Sequence, residues 1–204
     1  MQIFDPIHNT HDTYTALAVR TAAPLEDRKE LLHALLGIVC ENLEMLCLFQ
    51  PMEDIPEPVL ETKLTAEMGD LAWFICLYFW WKTKHSIEET EQLFEQSFAS
   101  AFIPTPETFP AMLVSTTEKI SALIKKEFAY GKLISDSDAN TLVTEAVVLL
   151  ASLLHYRDLS LEHICTANIA KLSLRYKQGT FSAQQAENRN EQAEEKAVAD
   201  YNRG

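Results

Sequence analysis

Apolar residues recur at spacings of three and four along almost the whole chain, and no stretch alternates convincingly between apolar and polar positions. That period keeps one side of a helix in a core and gives a strand no buried face. Only five glycines interrupt the 204 residues, so an almost wholly α-helical fold is expected. Helices are predicted at about 11–22, 27–49, 60–84, 86–101, 112–130, 137–156, 160–175 and 182–201. The proline-bearing stretches "QPMEDIPEP" and "FIPTPETFP" break the pattern, and the second reads as a joint between halves. A chain of this length buries a substantial core, and one domain over 1–204 is expected.

The two halves carry a weak internal repeat. "LAWFICLYFWWKTKHSIEETEQL" and "VVLLASLLHYRDLSLEHICTANI" both run from an apolar helix through a polar turn and a serine cap into another helix. Ser86 with Glu89 has capping-box spacing, whereas Ser160 has His163 in place of the acid. The expected architecture is a helical bundle with a four-helix core, built from repeats at about 27–101 and 112–176, with flanking helices and a tail over 182–204.

Chemistry concentrates in two pairs of carboxylates. Glu41 and Glu44 are three apart on one long helix, and Glu67 and Asp70 are three apart on the next. Each pair therefore projects from one face, among large apolar neighbours such as Leu43, Trp73, Phe74 and Leu77. If the helices pack antiparallel, four carboxylates converge where like charges need a cationic partner. All-oxygen ligands without cysteine or histidine suit Mg²⁺ or Mn²⁺ rather than zinc. Taken singly, the pairs also fit a solvated surface or a helix dipole.

The rest of the charge pattern restricts partners. Seventeen Lys and Arg face thirty Asp and Glu, a formal charge of −13, which repels a nucleic-acid polymer or an anionic membrane. "ANIAKLSLRYKQGTF" places Asn168, Lys171 and Arg175 on one helical stripe, with Tyr176 following, and such donors can hold phosphate oxygens. Trp73, Phe74 and Tyr78 are aromatic enough to stack on a base, although such stripes are commonly core. Cys40, Cys47, Cys76 and Cys165 follow no CxxC spacing and read as buried thiols of a reducing cytosol. The opening "MQIFDPIHNTHD" lacks a signal-peptide pattern, and Leu71–Trp81 is half of the ~20 residues a membrane span needs. A cytoplasmic location is expected.

Together these residues resemble the MazG-like, all-α nucleoside triphosphate pyrophosphohydrolase superfamily, which includes the dimeric dUTPases. Its pattern is Glu-Glu-x-x-Glu on one helix and Glu-x-x-Asp on the next. Glu41 and Glu44 match the last two acids of the first element, Glu67 and Asp70 match the second, and Cys40 stands where the first glutamate would be. The likeness extends to "YTALAVRT", "HALLGIVCENLE", "NIAKLSLRY" and "AENR", which include Asn168, Lys171, Arg175, Tyr176 and Arg189. Roughly ninety residues separate Asp70 from Asn168, where short relatives run directly on.

The resemblance implies that a fused second copy fills this interval. In it, Lys125 and Lys126 form a Lys-Lys element, Glu145 matches the second element's glutamate, and Val148 replaces its aspartate. In the first copy, Phe94 and Ser97 fall where Asn168 and Lys171 would be. The implied protein is a pseudo-dimer within one chain, able to pair again as a homodimer, with one composite site. Glu41, Glu44, Glu67 and Asp70 would hold Mg²⁺, or Mn²⁺, and perform catalysis. Asn168, Lys171, Arg175, Tyr176, Lys125 and Arg189 would bind a nucleoside triphosphate, hydrolysed to the monophosphate and pyrophosphate. A catalytically inactive nucleotide-binding protein and a helical interaction module are the rival expectations.

Overall fold

The computed structural model describes residues 13–49, 55–101 and 108–202. These form Tyr14–Val19 (α1), Asp27–Leu48 (α2), Glu57–Lys82 (α3), Ile87–Ala99 (α4), Phe109–Tyr130 (α5), Asp136–Tyr156 (α6), Leu161–Arg175 (α7), Ala183–Glu187 (α8) and Glu191–Asn202 (α9). Among the described residues there is no strand, as the three- and four-residue period requires. Much of both proline-bearing breaks and the start of the expected 11–22 helix lie outside the described residues.

Helix starts follow side-chain chemistry. The hydroxyls of Thr13, Ser86, Ser135, Ser160 and Ser182 each accept a bond from the backbone amide three residues on, satisfying an amide without an intrahelical partner. Gly131 closes α5 in a left-handed conformation, φ 64°. The single helix expected over 182–201 is instead two. Asn188 Nδ2 donates to the Gln184 carbonyl and Asn190 Oδ1 accepts from the Ala193 amide, so two asparagines compete for the backbone bonds of a continuous helix.

The bundle is organised around α3, which packs against α1, α2, α4, α6, α7 and α9, while α2 also packs against α5. Leu31, Leu35, Ile38, Met45, Met68, Leu71, Ile75, Ile120 and Leu149 are fully buried between these helices. Gly37 lets α2 approach α3 closely, since a Cβ there would lie 2.1 Å from the Phe74 ring. Cys76 and Cys165 are buried as expected, but Cys40 and Cys47 are exposed because both lie on the face of α2 turned away from the core. α2 and α6 are apolar and long enough to cross a membrane by length and composition, and about half of each such window is buried in the bundle.

The repeat signal has a structural counterpart at the α3–α4 and α6–α7 turns. The amides of Thr83, Lys84 and His85 donate to the carbonyls of Phe79, Trp81 and Trp80; Arg157, Asp158 and Leu159 donate in the same pattern to Leu153, His155 and Leu154. Lys84 and Asp158 both take left-handed φ, 53° and 54°. Counted from this shared turn, Phe94 and Ser97 fall opposite Asn168 and Lys171, as expected. The expectation for Glu145 and Val148 does not hold in this register: Thr141 and Thr144 fall opposite Glu67 and Asp70. Matching on the shared glutamate alone displaced the pairing by one helical turn.

Polar clamps set the register of α2. Lys84 pairs with Asp27 at 3.0 Å and His85 with Glu30 at 2.8 Å, tying the end of α3 to the start of α2. At the other side, Arg28 forks onto Glu127 of α5, which also accepts the Ile134 amide at 2.8 Å. Losing one buried leucine costs roughly 2–5 kcal/mol, against roughly 1 kcal/mol for a partly solvated ion pair. Apolar burial therefore holds the bundle together, and the clamps choose how its helices align.

The Arg28 hydrogen bond holds the Glu127 carboxyl below the ordinary carboxylate range. Because the folded pKa is the lower one, this contribution is complete above the ordinary range and fades as pH falls through the folded value. Glu127→Gln should cost about 1 kcal/mol in urea unfolding at pH 7, with the gap closing below about pH 4. A gap of the same size at pH 3 would contradict the ionic origin.

Candidate functional site

Asp27 meets Lys84 at one end of the α2–α3 pair and Glu41 meets Asp70 towards the other, so the two helices run antiparallel. This brings the carboxylates of Glu41, Glu67 and Asp70 together, each offering an oxygen within 4.8 Å of the others. Glu41 is buried, and Glu67 and Asp70 are half-buried. Glu44, expected as a fourth member, is exposed at the rim, one turn along α2. Its charge still reaches both Glu41 and Glu67.

Burial pushes the Glu41 and Glu67 carboxyls well above the usual carboxylate range, and the neighbouring carboxylates push further in the same direction. Lys171 opposes the shift at both. Lys171 is itself buried and donates to Asp70 Oδ2, while Asn168 Nδ2 donates to Asp70 Oδ1 at 2.7 Å. One lysine thus faces a group of three carboxylates with a fourth nearby. The all-oxygen donor set makes the cluster compatible with a hard divalent cation, which would favour the ionised acids that burial and repulsion disfavour. Asn168 Oδ1 is buried and has no hydrogen-bond partner among the described residues.

Asn168 and Lys171 lie on α7, and Gly69 explains how they reach Asp70. A Cβ at Gly69 would lie 3.0 Å from Asn168 Cβ and 3.1 Å from the Ile164 carbonyl oxygen. The missing side chain between Glu67 and Asp70 is what allows α7 to lie against α3 at this level. Of the donors expected in one composite site with these acids, Lys171 and Asn168 reach Asp70.

The remaining expected binding residues are placed differently. Arg175, one turn beyond Lys171, forks onto Glu194 of α9 at 2.9 and 2.5 Å. The chain turns back at Gly179, and the tail brings Glu194 of α9 against the arginine. Arg189 is exposed and pairs with Glu191, which lies two residues away. Tyr176 is buried against Phe181, with ring centroids 6.0 Å apart, because Gly179 turns the chain back at φ 71°. Lys125 is exposed on α5 and belongs neither to the carboxylate cluster nor to its hydrogen-bonded partners. Arg175, Lys177 and Arg189 nevertheless line one polar groove of about 520 Å³ with Gln184, Asn188 and Asn190.

Beside the cluster, His33, Trp73 and Phe74 form a half-buried aromatic group, with Trp73 and Phe74 centroids 4.9 Å apart. The Trp73 indole donates to the Ala18 carbonyl and to Thr21 Oγ1, both at 3.1 Å, which fixes its ring. Tyr78 is core. Sequence reasoning missed Glu194. The burial of Arg175 carries no signal in its spacing, and the tail offers four glutamates, so neither the need for an acid nor its identity was readable. No family model matches the chain, and no curated protein or solved structure matches it.

Gly69→Ala tests the α3–α7 approach. Helix propensity alone would favour alanine by roughly 1 kcal/mol, whereas overpacking against a helix backbone costs roughly 1–3 kcal/mol. The opposing wall is a carbonyl and a Cβ, which move only with α7 itself. The variant should therefore be less stable in urea unfolding; a more stable one would contradict the close contact.

Proposed function

We propose that the chain is a Mg²⁺-dependent nucleoside triphosphate pyrophosphohydrolase, releasing pyrophosphate and a nucleoside monophosphate. The observation that carries this reading is the convergence of Glu41, Glu67 and Asp70 with Lys171 and Asn168 on Asp70. The motif likeness to the MazG-like superfamily supports the same reaction.

Glu41, Glu67 and Asp70, with Glu44 at the rim, would hold Mg²⁺ or Mn²⁺. The cation would supply charge neutralisation, orientation of the phosphates and activation of water. Lys171 and Asn168 fix the Asp70 carboxylate, and Lys171 offsets part of the repulsion between the acids and a polyanion. Arg175, Lys177 and Arg189 offer N–H donors to phosphate oxygens along the polar groove. Hydrolysis adds water to phosphorus and breaks the bond to the pyrophosphate oxygen.

A metal-dependent nucleotide binder without turnover is the second reading, favoured by Cys40 in place of an acid. A panel of nucleoside triphosphates incubated with Mg²⁺ and scored for pyrophosphate against phosphate separates the two. Pyrophosphate should appear from at least one substrate, and Glu67→Gln should lower its rate by about 10²-fold or more. Absence of pyrophosphate from every substrate, or an unchanged rate in Glu67→Gln, would refute the enzymatic reading. Independently of turnover, Mn²⁺ at about 100 times its Kd should stabilise the wild type by about 2.7 kcal/mol and leave Glu67→Gln little changed. Equal stabilisation of both would place the ion elsewhere.

A further inference from the structure

Arg175 differs from Arg189 of the polar groove in its acid: Arg189 pairs with exposed Glu191, whereas Arg175 pairs with a buried glutamate. The Arg175 side chain is 16% exposed and that of Glu194 is 6% exposed. Glu194 Oε1 accepts from Nε and Oε2 from Nη2, so the carboxylate occupies one edge of the guanidinium. Guanidinium presents a second donor fork at its Nη1 and Nη2 end, with geometry that fits a phosphate. The same arginine lines the groove with Lys177 and Arg189.

The helix that carries Glu194 is pinned to α3, which carries Glu67 and Asp70, and to α7, which carries Asn168 and Lys171. Asn202 Oδ1 bonds His163 Nε2 of α7 at 2.9 Å, and Asn202 Nδ2 donates to Thr65 Oγ1 of α3 at 3.2 Å. The His163 and Tyr201 rings lie 4.8 Å apart. A carboxylate that competed with phosphate would occupy the arginine from an element free to leave. Glu194 is instead buried on a docked helix and takes the side edge of the guanidinium.

We infer that Glu194 is a positioning residue that aims the end fork of Arg175 at the phosphates of the substrate. The inference rests on the proposed pyrophosphohydrolase reading and adds α9 to the machinery of that site. Without its carboxylate, Arg175 would be a largely buried charge with only the Tyr176 hydroxyl beside it among the described residues, and the phosphates would meet a more mobile donor.

The test is a double-mutant cycle in Mg²⁺-dependent pyrophosphate release, using the best triphosphate of the panel. Glu194→Gln should raise KM on the order of tenfold with a smaller change in kcat. The Glu194→Gln/Arg175→Gln double variant should be no worse than Arg175→Gln alone, because Glu194 acts through the arginine. Calorimetric binding of inorganic pyrophosphate with Mg²⁺ should weaken by a similar factor in Glu194→Gln. Circular dichroism checks the fold, and Glu194→Asp, which keeps the charge and shortens the reach, replaces Glu194→Gln if that variant does not fold. An unchanged KM, full additivity in the cycle, or a gain in kcat/KM would overturn the positioning role while leaving the enzyme reading intact. A wild type that neither turns over nor binds pyrophosphate would overturn both.

Discussion

The Asp70 carboxylate accepts one bond from Asn168 and another from Lys171, and both donors come from a helix far along the chain. This contact depends on Gly69, since any side chain there would meet the α7 backbone. The central helix therefore touches α7 at the level where its own acids face Glu41 of α2. The two donors could not serve Asp70 if α3 and α7 were held apart. Neither half of the chain contains the whole arrangement.

Such an arrangement is electrostatically unfavourable by itself. Three close carboxylates, one of them buried, share a single buried lysine, and desolvation adds to their repulsion. The surrounding bundle carries that cost through apolar burial, with Met68, Leu71 and Ile75 of α3 fully enclosed beside the acids. A site that stabilised the fold for its own sake would pair each acid with a base, as Arg28 does for Glu127. Three acids gathered where burial and mutual repulsion disfavour their ionised forms are the physical reason to seek a cation there, since a bound cation would favour those forms again.

Much of this was legible in the sequence. The three- and four-residue period marked the helices, the caps Ser86 and Ser160 placed two of their starts, and the spacing of Glu67 and Asp70 put both on one face. The stripe Asn168, Lys171 and Arg175 identified the donor helix. What depended on burial was not legible. Arg175 shares the stripe with Lys171 yet turned to Glu194, because the acidic tail folded back through Gly179 and Phe181. Glu145 looked like the partner of Glu67 until the shared turn fixed the register one helical turn away. Cys40 and Cys47 lie in an apolar helix but on its outer side, which a period alone does not orient when both sides are apolar.

The central claim is that Glu41, Glu67 and Asp70 form a divalent-cation centre spanning consecutive helices. Its most direct test is anomalous diffraction from crystals grown with Mn²⁺. The account predicts a manganese peak bounded by the oxygens of these three residues, with Lys171 still beside Asp70. Manganese bound only at surface carboxylates, with this cluster empty at saturating ion, would contradict it.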